Sequence, residues 1–178
     1  MNGQVEDSIL VRAAQNGDVD AFEELVRRYQ TSIYRVALRM LGSRADAQDA
    51  VQETFVRAWR ALPRFRHDSA ISTWLYRIVT RRALDRIASR RSTGTLDEVE
   101  GEAGPDPAQA AEQQERLRAI KRAIAKLPPD QRAALVLREF EGLSYQEVAQ
   151  VLGATVPAVK TRIHRARLTI IQQTSSWQ

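Results

Sequence analysis

The sequence predicts an all-α protein with two small helical domains joined by a flexible acidic linker. Apolar residues recur at spacings of three and four on both sides of the chain, which is the period of helices that bury one face. Between them, residues 92–115 hold acidic side chains and no basic one, and the core of this segment, STGTLDEVEGEAGPDPAQ, contains three Gly and two Pro. Such a segment buries too little apolar surface to order itself, so we predict a linker at residues 92–111.

The acidity of this linker has two interpretations. The simpler one is that charged side chains keep the segment solvated. The other is that the acidic segment competes with nucleic acid for the basic faces on either side of it.

The first domain is predicted to contain three helices. The first apolar stripe ends at Gly42 and Ser43, which break the helical pattern. The second stripe is followed by Pro63, because proline disfavours helical geometry in the residue before it, and the third begins after a polar loop at residues 64–70. The stripes are Phe22, Leu25, Val26, Tyr29, Ile33, Val36, Ala37, Met40 and Leu41; Ala47, Ala50, Val51, Phe55, Ala58 and Leu62; and Ile71, Trp74, Leu75, Ile78 and Val79.

The second domain is predicted to begin with two further helices. A stripe of four apolar residues is ended by Pro128 and Pro129, and the next helix spans residues 130–140. Gly142 ends that helix, since glycine adopts a left-handed conformation at low cost. The four residues of the stripe are Leu117, Ile120, Ile124 and Leu127.

The segment LSYQEVAQVLGATVPAVKTRIHRAR predicts a helix-turn-helix. Ser144 and Glu147 have the spacing of a capping box, which starts the first helix. Gly153 permits the tight turn. Thr155 can cap the second helix, and Pro157 is tolerated in its first turn, where backbone donors have no intrahelical partner.

The second helix of this motif predicts a DNA-binding face. One side carries apolar residues at spacings of four, three and four, and the other side is positive. A helix fits the DNA major groove, where Arg or Lys binds guanine edges or phosphates and Thr and His add shorter polar contacts. The alternative is a solvated basic helix on the surface of a bundle. The apolar residues are Val159, Ile163, Ala166 and Ile170, and the predicted DNA contacts are Lys160, Thr161, His164 and Arg165.

The composition disfavours an enzyme. The chain has 178 residues and no cysteine, which excludes disulfides, thiolate zinc sites, iron–sulfur clusters and thiol nucleophiles. Its two histidines, His67 and His164, lie too far apart in sequence to suggest an imidazole metal site or a triad. We therefore predict a non-enzymatic protein with no metal and no cofactor. The net charge of +5 is concentrated in residues 57–91, where ten arginines face two aspartates, which favours an acidic partner such as nucleic acid.

The sequence also predicts a cytoplasmic protein. No apolar run approaches the roughly 20 residues that a membrane-spanning helix needs. The start, MNGQVEDSIL, has no basic segment followed by an apolar one, which is the pattern of a signal peptide.

Taken together, the chain resembles the extracytoplasmic-function sigma factors, the smallest bacterial transcription initiation factors of the sigma-70 family. Four blocks carry the resemblance, in the order of the family: DAQDAVQETFVRAW, ISTWLYRIVTRRALDRI, LPPDQRAALVLREFEGLSYQEVA and VKTRIHRAR. Each block alone is weak, but their joint order and spacing are specific.

The resemblance implies a role for each domain. Residues 1–91 would form the region 2 domain, residues 92–111 the linker, residues 112–173 the region 4 domain and residues 174–178 a tail. Region 2 would dock on core RNA polymerase through Asp49, Gln52, Glu53 and Phe55. It would also bind and open the promoter −10 element, as single-stranded DNA, through Arg64, Arg66, His67, Tyr76, Arg77, Arg81, Arg82 and Arg86. Trp74 is expected in the core because it shares an apolar stripe, which leaves Tyr76 as the better exposed aromatic candidate.

The resemblance also implies partners. They are core RNA polymerase, promoter DNA that is double-stranded at the −35 element and single-stranded at the −10 element, and an anti-sigma factor. The free protein would be a monomer, would not insert into membranes, and would join the nucleoid as part of the polymerase complex.

Two rival functions remain open at this point. A helix-turn-helix regulator that is not a polymerase subunit would bind its operator tightly on its own, usually with dimer symmetry. A helical hydrolase with Asp46, Asp49 and Glu53 as metal ligands is much less favoured, because carboxylate sites in bundles draw ligands from several helices, often as Glu-x-x-His pairs.

Overall fold

The computed structural model describes residues 2–93 and 109–174. Within these ranges the secondary structure is helical throughout, with short connecting turns and loops. The helices are α1 (Asn2–Gln15), α2 (Val19–Leu41), α3 (Arg44–Ala61), a 3-10 turn (Leu62–Arg64), α4 (Ile71–Thr93), α5 (Gln109–Lys126), α6 (Pro129–Leu135), which continues as a π-type segment (Val136–Phe140), α7 (Tyr145–Leu152) and α8 (Val156–Thr174).

Short capped turns set the helix boundaries of the first domain. Asp18 accepts a hydrogen bond from the amide of Ala21 at 3.1 Å and so starts α2. Gly42 ends α2 with φ +72, and Ser43 starts α3 directly afterwards. Helix α1 is not among the sequence predictions; its buried residues Val11 and Ala14 pack it on the domain.

The core of the first domain lies between α2, α3 and α4. Ile33, Val36 and Met40 from α2 are fully buried, together with Leu62 and Val79. These five belong to the three predicted apolar stripes, so the helical periodicity located the core correctly. Residues 65–70 then connect α3 and its 3-10 turn to α4.

The second domain packs α6 and its π-type extension against α7 and α8. Val136, Leu137, Val148 and Ile163 are almost completely buried there. In α5, by contrast, Ile124 and Leu127 reach the core, whereas Leu117 and Ile120 are 51% and 39% exposed. Only the C-terminal half of that predicted stripe is therefore buried.

The two domains pack on each other through buried charged side chains. Arg132 on α6 donates to the carbonyl of Met40, at the C-terminal end of α2, and to the carbonyl of Leu127 at 3.2 Å. Glu141, whose side chain is only 2% exposed, lies 3.3 Å from the guanidinium of Arg39. Burial lowers the pKa of Arg132 to about 10, because the charged guanidinium is removed from water.

Part of the predicted linker lies in helices. Ser92 and Thr93 end α4, and residues 109–111 begin α5. Residues 94–108, like residues 175–178 of the tail, lie outside the described residues, so the linker and the domain boundaries stay predictions. Within the two described ranges, no helix combines the length and apolarity needed to cross a bilayer.

Candidate nucleic-acid interface

Helix α8 presents the predicted recognition face to solvent. Thr155 caps the helix by accepting from the amide of Ala158 at 3.3 Å. Val159, Ile163 and Ala166 are at most 1% exposed, which fixes the rotation of the helix on the domain. The opposite side is therefore exposed, and it carries the four predicted contacts, Lys160, Thr161, His164 and Arg165.

The other arginines of α8 are held by carboxylates. Arg162 lies 3.2 Å from Asp130, and Arg167 pairs with Glu139. His164 and Arg165 have no ion pair with any described residue. On the same outer face, Thr161 donates to the carbonyl of Pro157 at 3.0 Å, and the ammonium of Lys160 lies 5.4 Å from the centroid of the Tyr145 ring.

The preceding helix, α7, is fixed by the predicted capping box. The amide of Ser144 donates to Glu147 at 2.7 Å, and the amide of Glu147 donates to the Ser144 hydroxyl at 3.2 Å. Gly153 has φ +59 at the turn, a conformation that favours glycine. The helix-turn-helix prediction is confirmed in each of these details.

In the first domain, arginines of α4 pair with carboxylates of α3. Arg82 donates to Glu53 through Nε at 2.6 Å, and Arg86 lies 3.4 Å from Asp49. Arg86 and Arg90 both contact Asp46, whose side chain is 11% exposed. We call these six residues the α3–α4 ion-pair row. The row pairs two predicted polymerase contacts, Asp49 and Glu53, with two predicted DNA contacts, Arg86 and Arg82. Each carboxylate of the hypothetical metal site therefore has an arginine partner.

Arg77 and Arg81 differ from that row. They lie four residues apart on α4, are exposed, and have no ion pair with a described residue. The eight predicted −10 contacts therefore do not form one uniform surface. Arg77 and Arg81 are available to an anionic partner, whereas Arg82 and Arg86 are committed to α3.

The loop before α4 combines exposed cations with an aromatic cluster. Arg64, Arg66 and His67 are exposed. The ring of buried Phe65 lies 5.0 Å from the ring centroids of both His67 and Trp74. The buried hydroxyl of Ser69 has no hydrogen-bond partner within the described part of the chain.

Gln15, the last residue of α1, contacts this loop in a way that the sequence did not predict. Its amide nitrogen donates to the carbonyls of Leu62 at 3.0 Å and Phe65 at 2.9 Å, and its amide oxygen lies 3.1 Å from Nε2 of His67. No local pattern connects residues about fifty positions apart, so only the fold reveals this contact.

Comparison with known proteins identifies the family. The model of Sigma-70 region 2 matches residues 25–93, and that of Sigma-70, region 4 matches residues 117–170. The RNA polymerase sigma-H factor of Pseudomonas aeruginosa is 41% identical over 94% of this chain and 93% of its own length. The ECF RNA polymerase sigma-E factor of Escherichia coli K12 is 38% identical over 96% and 95%. The chain belongs to the extracytoplasmic-function sigma factors.

Solved structures agree with the fold of this sigma factor. CnrH in complex with the cytosolic domain of CnrY superposes with a TM-score of 0.73 at 30% identity and covers 96% of this chain and 98% of that one. The sigma factor RpoE, in complex with the anti-sigma factor NepR from Bartonella quintana, gives 0.69 at 25% identity over 86% and 96%. The predictions of the family, of the two-domain helical fold and of an alternative sigma factor are confirmed.

One aromatic prediction for this sigma factor is wrong. Tyr76 is buried, with 8% exposure, because the second domain covers it: its hydroxyl donates to Glu141 at 3.2 Å. Burial raises the pKa of Tyr76, since the phenolate would lose its hydration. Trp74 is half-buried against the core, as expected. A DNA contact by Tyr76 stays a prediction, and it would require the second domain to move away.

The predicted polymerase contacts of the sigma factor also differ in exposure, because one of them is buried. Asp49 and Gln52 are exposed and Glu53 is half-exposed, but Phe55 is 8% exposed and faces the core. Phe55 therefore cannot present its ring to a partner in this structure. The sequence reasoning overlooked the exposed apolar residues of the same helix, Val56 at 50% and Trp59 at 36% exposure.

Proposed function

We propose that this sigma factor contacts the two promoter elements and the polymerase through three separate surfaces. Helix α8 binds the double-stranded −35 element, the loop at residues 64–70 with α4 binds the single-stranded −10 element, and α3 binds core RNA polymerase. The observation that carries this proposal is that one chain exposes two cationic surfaces of different kinds, a helix-turn-helix face and an arginine surface beside aromatic rings.

Duplex binding by α8 is supported by the chemistry of its outer face. Lys160, Thr161, His164 and Arg165 are exposed on one side of a helix whose rotation is fixed by buried residues. Such a helix can enter the major groove, where Arg and Lys bind guanine edges or phosphates.

Single-strand binding by the first domain is supported by a combination of charge and rings. Arg64, Arg66, Arg77 and Arg81 are exposed and can follow a phosphate backbone. His67 adds an exposed ring next to Phe65. Stacking of a base on such rings contributes about 1–3 kcal/mol. We assign Arg82 and Arg86 mainly to the ion pairs that join α4 to α3. They would contact DNA only when these ion pairs break.

Polymerase binding is supported by the exposed polar side of α3. Asp49, Gln52 and Glu53 offer carboxylate and amide oxygens to basic groups of a partner. An open groove of about 580 Å³ beside them is lined by Gln30, Thr31, Tyr34, Gln48, Val51 and Gln52. Phe55 supports this surface from beneath.

We further propose that an anti-sigma factor binds the chain, as the cytosolic domain of CnrY and NepR bind their sigma factors in the solved complexes. The protein would be a monomer when free and would act in the cytoplasm and nucleoid as a non-catalytic polymerase subunit without a cofactor.

The decisive experiment is co-elution of the protein with bacterial core RNA polymerase on a sizing column, followed by a fluorescent promoter-opening assay on the same fractions. Stoichiometric co-elution with opening is the expected result. Absence of association, together with tight duplex binding by the free protein, would favour the rival helix-turn-helix regulator.

A further inference from the structure

The loop at residues 64–70 has an unfavourable backbone conformation at one position. His67 has φ +58, the only positive φ of a non-glycine residue in the described ranges. Residues with a Cβ avoid this region because the side chain crowds the backbone, so other contacts must stabilise it here. Such conformations concentrate at functional sites.

Gln15 provides those contacts through hydrogen bonds with Leu62, Phe65 and His67. The amide nitrogen has two hydrogens, and both are used by the carbonyls of Leu62 and Phe65. The amide oxygen can then only accept, so Nε2 of His67 must carry the hydrogen that it donates to Gln15. One side chain of α1 thereby fixes the loop at three points.

Gln15 contacts both the loop and the 3-10 turn that precedes it. Leu62 also accepts from the amide of Phe65 at 3.0 Å, so Gln15 strengthens the turn that begins the loop. The Phe65 ring, at 7% exposure, lies between His67 and Trp74, so holding its carbonyl also holds the aromatic cluster in place.

We propose that Gln15 is a positioning residue for DNA: it holds the loop, through Leu62, Phe65 and His67, in the shape that accepts an unpaired promoter base. This inference rests on the proposed function of the loop. Gln15 does not itself contact the base; it determines where the Phe65 and His67 rings and the flanking arginines lie.

The test uses the full-length protein bound to core RNA polymerase. Gln15→Ala should slow promoter opening about tenfold, because the loop loses several hydrogen bonds at once, while co-elution with core and binding to −35 duplex stay unchanged. Discrimination among the four bases should also weaken, and only at the −10 position held by the loop. Gln172→Ala, an exposed glutamine at the end of α8, is the matched control and should open promoters normally.

His67 provides a second, independent series. His67→Ala should slow opening at least as much as Gln15→Ala, because it removes the donor to Gln15 and also the exposed ring. His67→Asn should open promoters faster than His67→Ala, since Asn tolerates positive φ and carries an amide donor, but more slowly than wild type, because it lacks the ring.

Three outcomes would overturn the proposal. Normal opening by Gln15→Ala would show that the contact has no role. An equal loss of discrimination at every −10 position would indicate a general structural effect, as would failure of His67→Asn to exceed His67→Ala. If the wild-type protein itself fails to open promoters with core, the proposed function fails first and the inference with it.

Discussion

Helices α4 and α8 are both rich in arginine, but their charges are used differently. On α4, Arg82, Arg86 and Arg90 are paired with carboxylates of α3, and Arg77 and Arg81 are not. On α8 the paired arginines are at the flanks, and the exposed cations of the outer face have no ion pair with a described residue. A basic helix in a sequence is therefore not automatically a nucleic-acid surface, because neighbouring helices decide which charges remain available.

The largest effect should come from breaking the α3–α4 ion-pair row at its most buried carboxylate. Asp46→Ala takes from the half-buried Arg86 and Arg90 the most buried carboxylate that they share, and removing one member of a buried pair costs about 3 kcal/mol. Urea unfolding of the full chain measures this loss. Asp130→Ala is the matched control on the α8 side: Asp130 is 52% exposed, so its loss should cost less than about 1 kcal/mol. Equal losses would mean that the row does not stabilise the first domain.

The next largest effect should come from the free face of α8. Arg165→Glu should weaken binding to −35 duplex by roughly 10- to 100-fold, the range of one lost contact to a base edge, and should leave co-elution with core intact. Arg167→Gln, which alters an arginine already paired with Glu139, is the control and should have a smaller effect. A comparable loss in both variants would remove the distinction between the outer face and its flanks.

The helix-turn-helix was predictable from the sequence because its signals are local. The capping box of Ser144 and Glu147, the left-handed Gly153 and the apolar positions of α8 each depend on residues a few positions away. Helical periodicity likewise located the three stripes of the first domain.

The features that the sequence could not predict depend on contacts between residues far apart in the chain. Tyr76 is buried by Glu141, 65 residues away, and the loop is held by Gln15, 52 residues before His67. Phe55 is different, because its place in the apolar stripe of α3 already predicted that it faces the core. The division of the α4 arginines follows from their position opposite α3. Composition and spacing carry no information on these pairings.

A smaller effect should follow from releasing one arginine of the row. Glu53→Gln removes the charge that holds Arg82, so binding of the free protein to a single-stranded −10 oligonucleotide should rise about threefold at low salt. Glu23→Gln, at an exposed position of α2, changes the net charge equally and serves as the control. If both variants gain equally, net charge explains the effect and Arg82 has no special part in it.

The opposite change tests the polymerase side of the same pair. Glu53→Lys should weaken co-elution with core, because it replaces a half-exposed carboxylate of α3 by a cation, while −35 duplex binding stays within about twofold of wild type. Normal core binding would remove α3 from the proposed interface.

The smallest expected effect is on the pH dependence of folding stability. It tests whether the second domain covers Tyr76 on α4, in contrast to the exposed outer face of α8. Burial raises the pKa of Tyr76 above the ordinary value of 10.0, so the phenol ionises in the unfolded chain before it does in the folded one. Its contribution to stability is therefore complete below pH 10 and is lost as the pH rises toward the folded pKa. Urea unfolding at pH 7 and pH 11 should show a smaller alkaline loss of stability for Tyr76→Phe than for wild type. An identical pH dependence would mean that the second domain does not keep Tyr76 from water in solution, and α4 would then be as accessible to DNA as α8.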